Sequence, residues 1–178
     1  MRPVSIARNY AEALFALGER SGRTAEYADL LDAVAHGIAA APRIEAVLMS
    51  PRVTKAQKAQ LLAAALEDAP REFVEFLKAV VKRGRQGMLG EIARQYQDLL
   101  DLKLNRVRAS VTLARPVNQP LRAEIARRLS RVMGKEVVPH FVEDPGILGG
   151  IIVRVGDRVF DGSLRRRAAL LRRLLLRT

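Results

Sequence analysis

The sequence predicts a mainly α protein: an N-terminal six-helix bundle over residues 1–105, then a small α/β domain over residues 106–178. Three observations lead there. Up to about residue 105 the apolar residues return every three or four positions, in segments punctuated by Gly and Pro, the spacing of helices that bury one face. Near residue 106 the period drops to two, the mark of a strand whose successive side chains point to opposite faces. Aromatic residues make up only 4% of the chain and Trp is absent, so leucine, valine, isoleucine and alanine must fill the cores, which suits closely packed helices.

The bundle reads in order as follows. Ile6, Tyr10, Ala13, Leu14 and Leu17 fall on one face of a helix from Ser5 to about Arg20, bracketed at its end by Gly18 and Gly22. Thr24 is placed to cap a second helix with Tyr27, Leu31, Val34 and Ile38 on its face, which stops before Pro42. A short third helix, Pro42 to Met49, carries Ile44, Val47 and Leu48; Ser50-Pro51 closes it, because a residue before proline is pushed out of the helical region. Thr54 with Gln57 forms a capping box that opens a fourth helix through Leu61, Leu62 and Leu66. Pro70 stands in the first turn of a fifth, whose face is Phe73, Phe76, Leu77, Val80 and Val81. Gly84, Gly87 and Gly90 interrupt the pattern before a sixth helix from Leu89 to about Asn105, with Ile92, Tyr96, Leu99 and Leu100 inward. Short loops between such helices imply a bundle.

In the second domain Val107, Ala109, Val111 and Leu113 alternate with Arg108, Ser110 and Thr112 as a strand. A helix follows with Leu121, Ile125, Leu129 and Val132 on one side, closed by Gly134. Val137 to Val142 is a second strand, and Pro139 within it argues for a sheet edge, where a missing N–H costs nothing. Ile151 to Val155 after Gly149-Gly150 is a third, returning through a tight Gly156-Asp157 hairpin to Val159-Phe160. Ser163 caps the last helix. There Leu164, Ala168, Leu171 and Leu175 recur at helical spacing and are expected to be buried, while Arg165, Arg166, Arg172, Arg173 and Arg177 form a basic ridge facing solvent or a partner.

Composition narrows the function. The 31 Lys and Arg against 19 Asp and Glu give a formal net charge of +12, which favours an anionic partner: nucleic acid, anionic lipid or an acidic protein surface. There is no Cys, so disulfides, thiolate catalysis and thiolate metal ligands are excluded. His36 and His140 fall in different domains without carboxylates at ligand spacing, and no metal or other cofactor is expected. Gly84-x-x-Gly87-x-x-Gly90 lacks the strand and the lysine–hydroxyl ending of a nucleotide loop. Ser50 and Ser163 have no His and acid partners, and Asp144, Asp157 and Asp161 are better read as turn residues than as paired general acids. No apolar run is long enough to span a bilayer, and the N-terminal stretch with Arg8, Asn9 and Glu12 lacks the apolar core of a signal peptide. What remains is a scaffold protein or, as its rival, a basic nucleic-acid-binding protein using Arg127, Arg128, Arg131 and Lys135 with Arg165, Arg166 and Arg167.

Two motifs go further. Ala7-Arg8-x-Tyr10-Ala11-x-Ala13-Leu14 near the start, and Asp144-Pro145-x-x-Leu148-Gly149-Gly150 continued to Asp161-Gly162-Ser163, resemble the delta subunit of the F-type ATP synthase, whose mitochondrial counterpart is the oligomycin-sensitivity-conferring protein. Leu48-x-Ser50-Pro51, Lys58, Arg85 and Leu89-x-x-Ile92 match at compatible places between them, so the resemblance spans essentially the whole chain. The chain departs from the family's usual character in its net charge, in its glycine-dense 84–90 segment and in Gly146, where a serine or another small residue is common.

The resemblance implies a non-catalytic subunit without cofactors, peripheral on the cytoplasmic face of the cell inner membrane. It would join the catalytic head to the b subunits of the peripheral stalk, so that the head does not turn with the rotor; no nucleic acid is expected as a partner. By the same resemblance the bundle holds the N-terminal segment of an alpha subunit, in a groove expected around Tyr10, Leu14, Leu17, Phe73, Phe76 and Leu77. The C-terminal domain engages the b subunits, with Arg165, Arg166, Arg172 and Arg173 as the expected contacts. Asp144, Gly149, Gly150, Asp161, Gly162 and Ser163 are expected to shape the sheet and cap the last helix rather than touch a partner.

Overall fold

A computed structural model of the chain describes residues 3–176; Arg177, counted above in the basic ridge, lies outside them. The chain divides into two compact units, Met1–Leu100 and Asp101–Thr178.

Six α-helices build the first: α1 Pro3–Ser21, α2 Thr24–Ala40, α3 Pro42–Met49, α4 Lys55–Ala64, α5 Arg71–Lys82 and α6 Leu89–Lys103. Their ends follow local chemistry. The Thr54 hydroxyl accepts from the Gln57 amide at 3.2 Å while the Gln57 side chain accepts from the Thr54 amide at 3.0 Å, so two orphan donors of α4 are satisfied reciprocally. Two expectations shift by one residue. Arg23, with no side-chain bond, precedes α2 where Thr24 was expected to cap, so Thr24 becomes the first helical residue. Pro70 stands just outside α5, still presenting its carbonyl to the amides of Phe73 and Val74.

The face that α1 buries is also rotated. Ala7, Ala11, Leu14 and Gly18 go inward, whereas Ala13 is exposed and Ile6, Tyr10 and Leu17 are half-buried at the margin. Small residues win this face because they admit the rings opposite: a Cβ on Gly18 would come within 2.9 Å of the Tyr96 hydroxyl and 3.2 Å of the Tyr27 ring. Tyr27, Tyr96 and Phe73 are fully buried at the centre with Leu31, Leu77, Val80 and Ile92. Each tyrosine has a place for its hydroxyl. Tyr96 donates to the Thr24 carbonyl at 3.0 Å and Tyr27 to Glu72 at 3.1 Å. Burial drives the Tyr96 phenol well above its ordinary pKa, with the neighbouring Tyr27 and Glu19 adding to the effect. Leu48, Leu62 and Val81 form a smaller cluster under α3 and α4.

The second unit is a four-stranded sheet in the order β2-β1-β3-β4, from β1 Arg106–Leu113, β2 Glu136–Glu143, β3 Ile151–Val155 and β4 Arg158–Asp161. Helix α7, Gln119–Met133, links β1 to β2, which run parallel in register from Arg106↔Glu136 to Leu113↔Glu143; β3 and β4 pair antiparallel. Pro139 therefore sits on an edge strand. Asn118 caps α7 by accepting from the Leu121 amide at 3.1 Å, and Gly134, at φ 66°, ends it. Ala109, Val111, Val137 and Val153 form the core against Val117, Ile125, Leu129 and Met133. Val132, expected inward, is exposed, because Met133 on the adjacent turn position takes the contact with the sheet.

The final helix α8, Leu164–Leu175, departs most from expectation. It buries none of its residues. Leu164, Ala168, Leu171 and Leu175 do share a face, but among the described residues that face stays largely exposed.

Candidate partner-binding surfaces

Hydrogen bonds at its beginning seat α8 on the sheet. The Ser163 hydroxyl accepts from the Arg166 amide at 3.2 Å, the Ser163 amide donates to Asp161 at 2.9 Å, and the Leu164 amide donates to the Gly149 carbonyl at 3.0 Å. Hydrogen bonding from Ser163, side chain first and backbone second, holds the Asp161 carboxyl below its usual pKa range, with Arg166 and Arg165 adding attraction. Gly149 and Gly150 let this turn close. Gly150 takes φ 80°, and a Cβ there would run into the carbonyl of Gly162. Asp144 fixes the other end of the turn, accepting from the Gly146 amide at 2.8 Å while its own amide donates to the Leu113 carbonyl at 2.9 Å. Thus the backbone carrying Gly149 and Gly150 meets that carrying Gly162 and Ser163, and the last helix leaves from that junction.

Beyond its first turn α8 is amphipathic and largely exposed. Leu171 is 59% exposed and Leu175 76%, and Leu170 and Leu174 flank them. Arg165, Arg166, Arg172 and Arg173 occupy the other side; the helix contains no acidic residue. Beside its first turn, an open cavity of about 570 Å³ is lined by Ile151, Val153, Val159, Phe160, Asp161, Gly162 and Arg166, and Phe160 is more than half exposed. The surface offers unburied leucine, aromatic edge and guanidinium together, which fits a partner that is both apolar and acidic.

In the bundle, the six residues expected to form a groove are drawn together but mostly inward. Leu14, Phe73, Phe76 and Leu77 are core; Tyr10 and Leu17 are half-buried and pack against it. Tyr10 meets Phe76 edge-on with centroids 6.3 Å apart, so the seam between α1 and α5 has an aromatic floor. Glu75, on α5, is held below its ordinary pKa by a hydrogen bond from Lys78 and by its charge. Among the described residues no group of three or more His, Cys, Asp or Glu could hold a metal ion. No helix among them is long and apolar enough to cross a membrane.

The family model described as "ATP synthase delta (OSCP) subunit" matches residues 6–175. The chain belongs to the ATP synthase delta (OSCP) family. It is 45% identical over 170 residues to the ATP synthase subunit delta of Gemmatimonas aurantiaca, covering 95% of this chain and 92% of that one. The subunit delta of Desulforamulus reducens is 33% identical over 173 residues, covering 97% and 96%. Among solved structures, a chain of the Toxoplasma gondii mitochondrial ATP synthase hexamer superposes with a TM-score of 0.71 over 96% of this chain and 97% of that one, at 20% identity, and so shares the fold.

As a delta subunit the protein is non-catalytic: it connects the catalytic head of the rotary synthase to the peripheral stalk and resists rotor torque. That role calls for surfaces rather than a reaction centre. Sequence reasoning missed the unburied leucines of α8, reading them as core. The available signal was arithmetic: with five arginines and no acid among the residues of α8, the helix is too charged to be enclosed by one small sheet.

Proposed function

We propose that the subunit links head and stalk through two faces, the α1–α5 seam for the N-terminal segment of an alpha subunit and α8 for the ends of the b subunits. The observation that carries this reading is α8 itself, a leucine-and-arginine helix seated through its first turn and largely exposed along its length. Leu171 and Leu175 supply apolar area, and Arg165, Arg166, Arg172 and Arg173 favour acidic helices, steering association and setting register. In the seam, Tyr10 and Leu17 are the accessible members. Leu14, Phe73, Phe76 and Leu77 act from beneath, fixing the width between the two helices. Helix-in-groove packing suits a contact that must hold through many rotary cycles without a covalent bond. The Asp144, Gly149, Gly150, Asp161, Gly162 and Ser163 turn aims α8 and touches no partner. The subunit works peripherally, on the cytoplasmic face of the inner membrane.

The test is rebinding of the purified chain to catalytic heads stripped of this subunit, with residues 1–105 and residues 106–178 tested separately and a nucleic-acid control in the same salt. Head binding retained by 1–105 and weakened by Leu17→Arg, with stalk binding retained by 106–178 and falling as salt rises, supports both assignments. Tight nucleic-acid binding without head binding would instead favour the basic patch on α7 and α8.

A further inference from the structure

Charge is unevenly spread over the bundle. Across residues 1–105 Lys and Arg barely outnumber Asp and Glu, so most of the chain's net charge of +12 arises beyond them. Yet residues 46–66 and 76–90 contain no acid at all. Lys78 in these stretches pairs with Glu75 at 2.8 Å; the other cations are Arg52, Lys55, Lys58, Lys82, Arg83 and Arg85. The fold gathers them at one end of the bundle. The Lys55 ammonium donates to the Lys82 carbonyl at 2.9 Å and the Gln86 side chain donates to the Leu48 carbonyl at 3.0 Å, which brings the turns 50–54 and 83–88 together.

Helix ends do not account for this concentration. Helices α3 and α5 finish there while α4 and α6 begin there, so partial charges of about half a unit at each terminus cancel. Arg52, Lys55, Lys82, Arg83 and Arg85 are exposed, and among the described residues none of them forms an ion pair. Of the acids flanking the two stretches, Glu75 and Glu91 are taken by Lys78 and Arg94, and Glu45 lies a full turn before the end of α3.

Lys58 supplies a second, independent observation. It is only 5% exposed, and among the described residues its ammonium has no ion-pair or hydrogen-bond partner. It shares a face of α4 with Leu62, four residues on, which packs with Leu48 and Val81 where α3 and α5 end. A buried cation without a counter-charge is costly, and an anion delivered from outside removes that cost.

We infer that this end of the bundle is an oligophosphate-binding site. The Lys58 ammonium meets one phosphate at its floor, and Arg52, Arg83 and Arg85 hold the others from the rim. Planar guanidinium groups pair with phosphate oxygens two at a time, while the lysines act as point charges. Neither turn carries an aromatic residue, so the site grips the phosphate chain and is indifferent to any base attached to it. Lys58 and Arg85 belong to neither partner face proposed above, and the ligand is a small anion rather than a subunit.

The probe is inorganic triphosphate, titrated without divalent cations into the isotope-labelled full chain and followed by calorimetry and amide shifts. The expected result is saturable, single-site binding with shifts centred on residues 50–58 and 82–88. ATP should bind equally well, orthophosphate about tenfold or more weaker, and affinity should fall as salt rises. Lys58→Met keeps the packing of the stem and removes the buried charge. The melting temperature of the free chain should therefore hold or rise while triphosphate affinity drops about tenfold or more. Arg83→Gln with Arg85→Gln should weaken binding similarly, and Arg127→Gln with Arg131→Gln, on α7, should leave it unchanged. Unchanged affinity in Lys58→Met, an equal loss in the α7 variant, or shifts spread over the basic faces of the second unit would overturn the proposal. Binding of phosphatidylglycerol vesicles or duplex DNA without binding of triphosphate would overturn it too, making the patch a lipid or nucleic-acid surface.

Discussion

Replacing Leu171 and Leu175 together by alanine separates a core role for α8 from an interface role. Fully burying a leucine contributes about 1.5–3 kcal/mol. With 59% and 76% of their surfaces exposed, these two retain about 2–4 kcal/mol of unrealised burial between them for a partner to collect. The double variant should therefore lose about 30- to 700-fold in affinity for a soluble b-subunit dimer, read by calorimetry or fluorescence anisotropy. The free subunit should hardly notice. It loses little packing, and alanine is at least as good a helix former as leucine. Its melting temperature should move by less than about 2 °C, whereas a core pair would lower it by far more, at about 4–8 °C per kcal/mol for a domain of this size. Unchanged affinity would refute the interface; a melting temperature that collapses would refute the reading of α8 as uncovered.

Three further outcomes follow from local geometry. Thr54→Ala breaks the capping box and should destabilise the bundle by about 1 kcal/mol, visible as a lower melting temperature with native secondary structure retained. Gly150→Ala forces a Cβ against the Gly162 carbonyl at φ 80°, so the turn that seats α8 should open, and limited proteolysis should cut near residue 162 in the variant and not in the parent. The Asp161 carboxyl is depressed in the folded chain, so its contribution is present above the unfolded value near about pH 4 and lost as pH falls through the lower folded value. Exchange protection of the Arg166 amide should accordingly decline below about pH 4, and Asp161→Asn should remove that dependence.

The helices and strands were legible because each is signalled locally. The Thr54 and Gln57 pair, Pro42, Gly134 and the Gly156-Asp157 turn each mark an end through their own backbone chemistry. Which face turns inward was less legible. In α1 the buried stripe is Ala7, Ala11, Leu14 and Gly18, and at Gly18 the rings of Tyr27, on the next helix, and Tyr96, on α6, leave no room for a side chain; apolar spacing, which placed Ile6, Tyr10, Ala13, Leu14 and Leu17 inward, does not register that packing. In α8 periodicity identified the apolar face correctly, yet periodicity is silent on whether the cover comes from the same chain. The expected bundle groove shows the same gap: four of its six residues are core, and hydrophobicity marks a core and a docking groove alike.

The turn at Gly150 and Gly162 also sets the path of mechanical load. Tension entering along α8 passes through Ser163 and Gly162 into β4, an edge strand joined to the sheet only through β3. Four register pairs, Ile152↔Asp161 to Val155↔Arg158, then stand between the pull and the interior of the sheet. The Gly162 amide to Ile151 carbonyl bond at 2.9 Å and the Leu164 amide to Gly149 carbonyl bond at 3.0 Å extend that ladder toward the helix. Force directed along β4 loads these rungs simultaneously, as in a shear lap joint; force directed across it peels them one at a time from the helix end. With α8 as the stalk contact proposed above, the direction of the pull decides whether this small sheet behaves as a stiff coupling or as a zip.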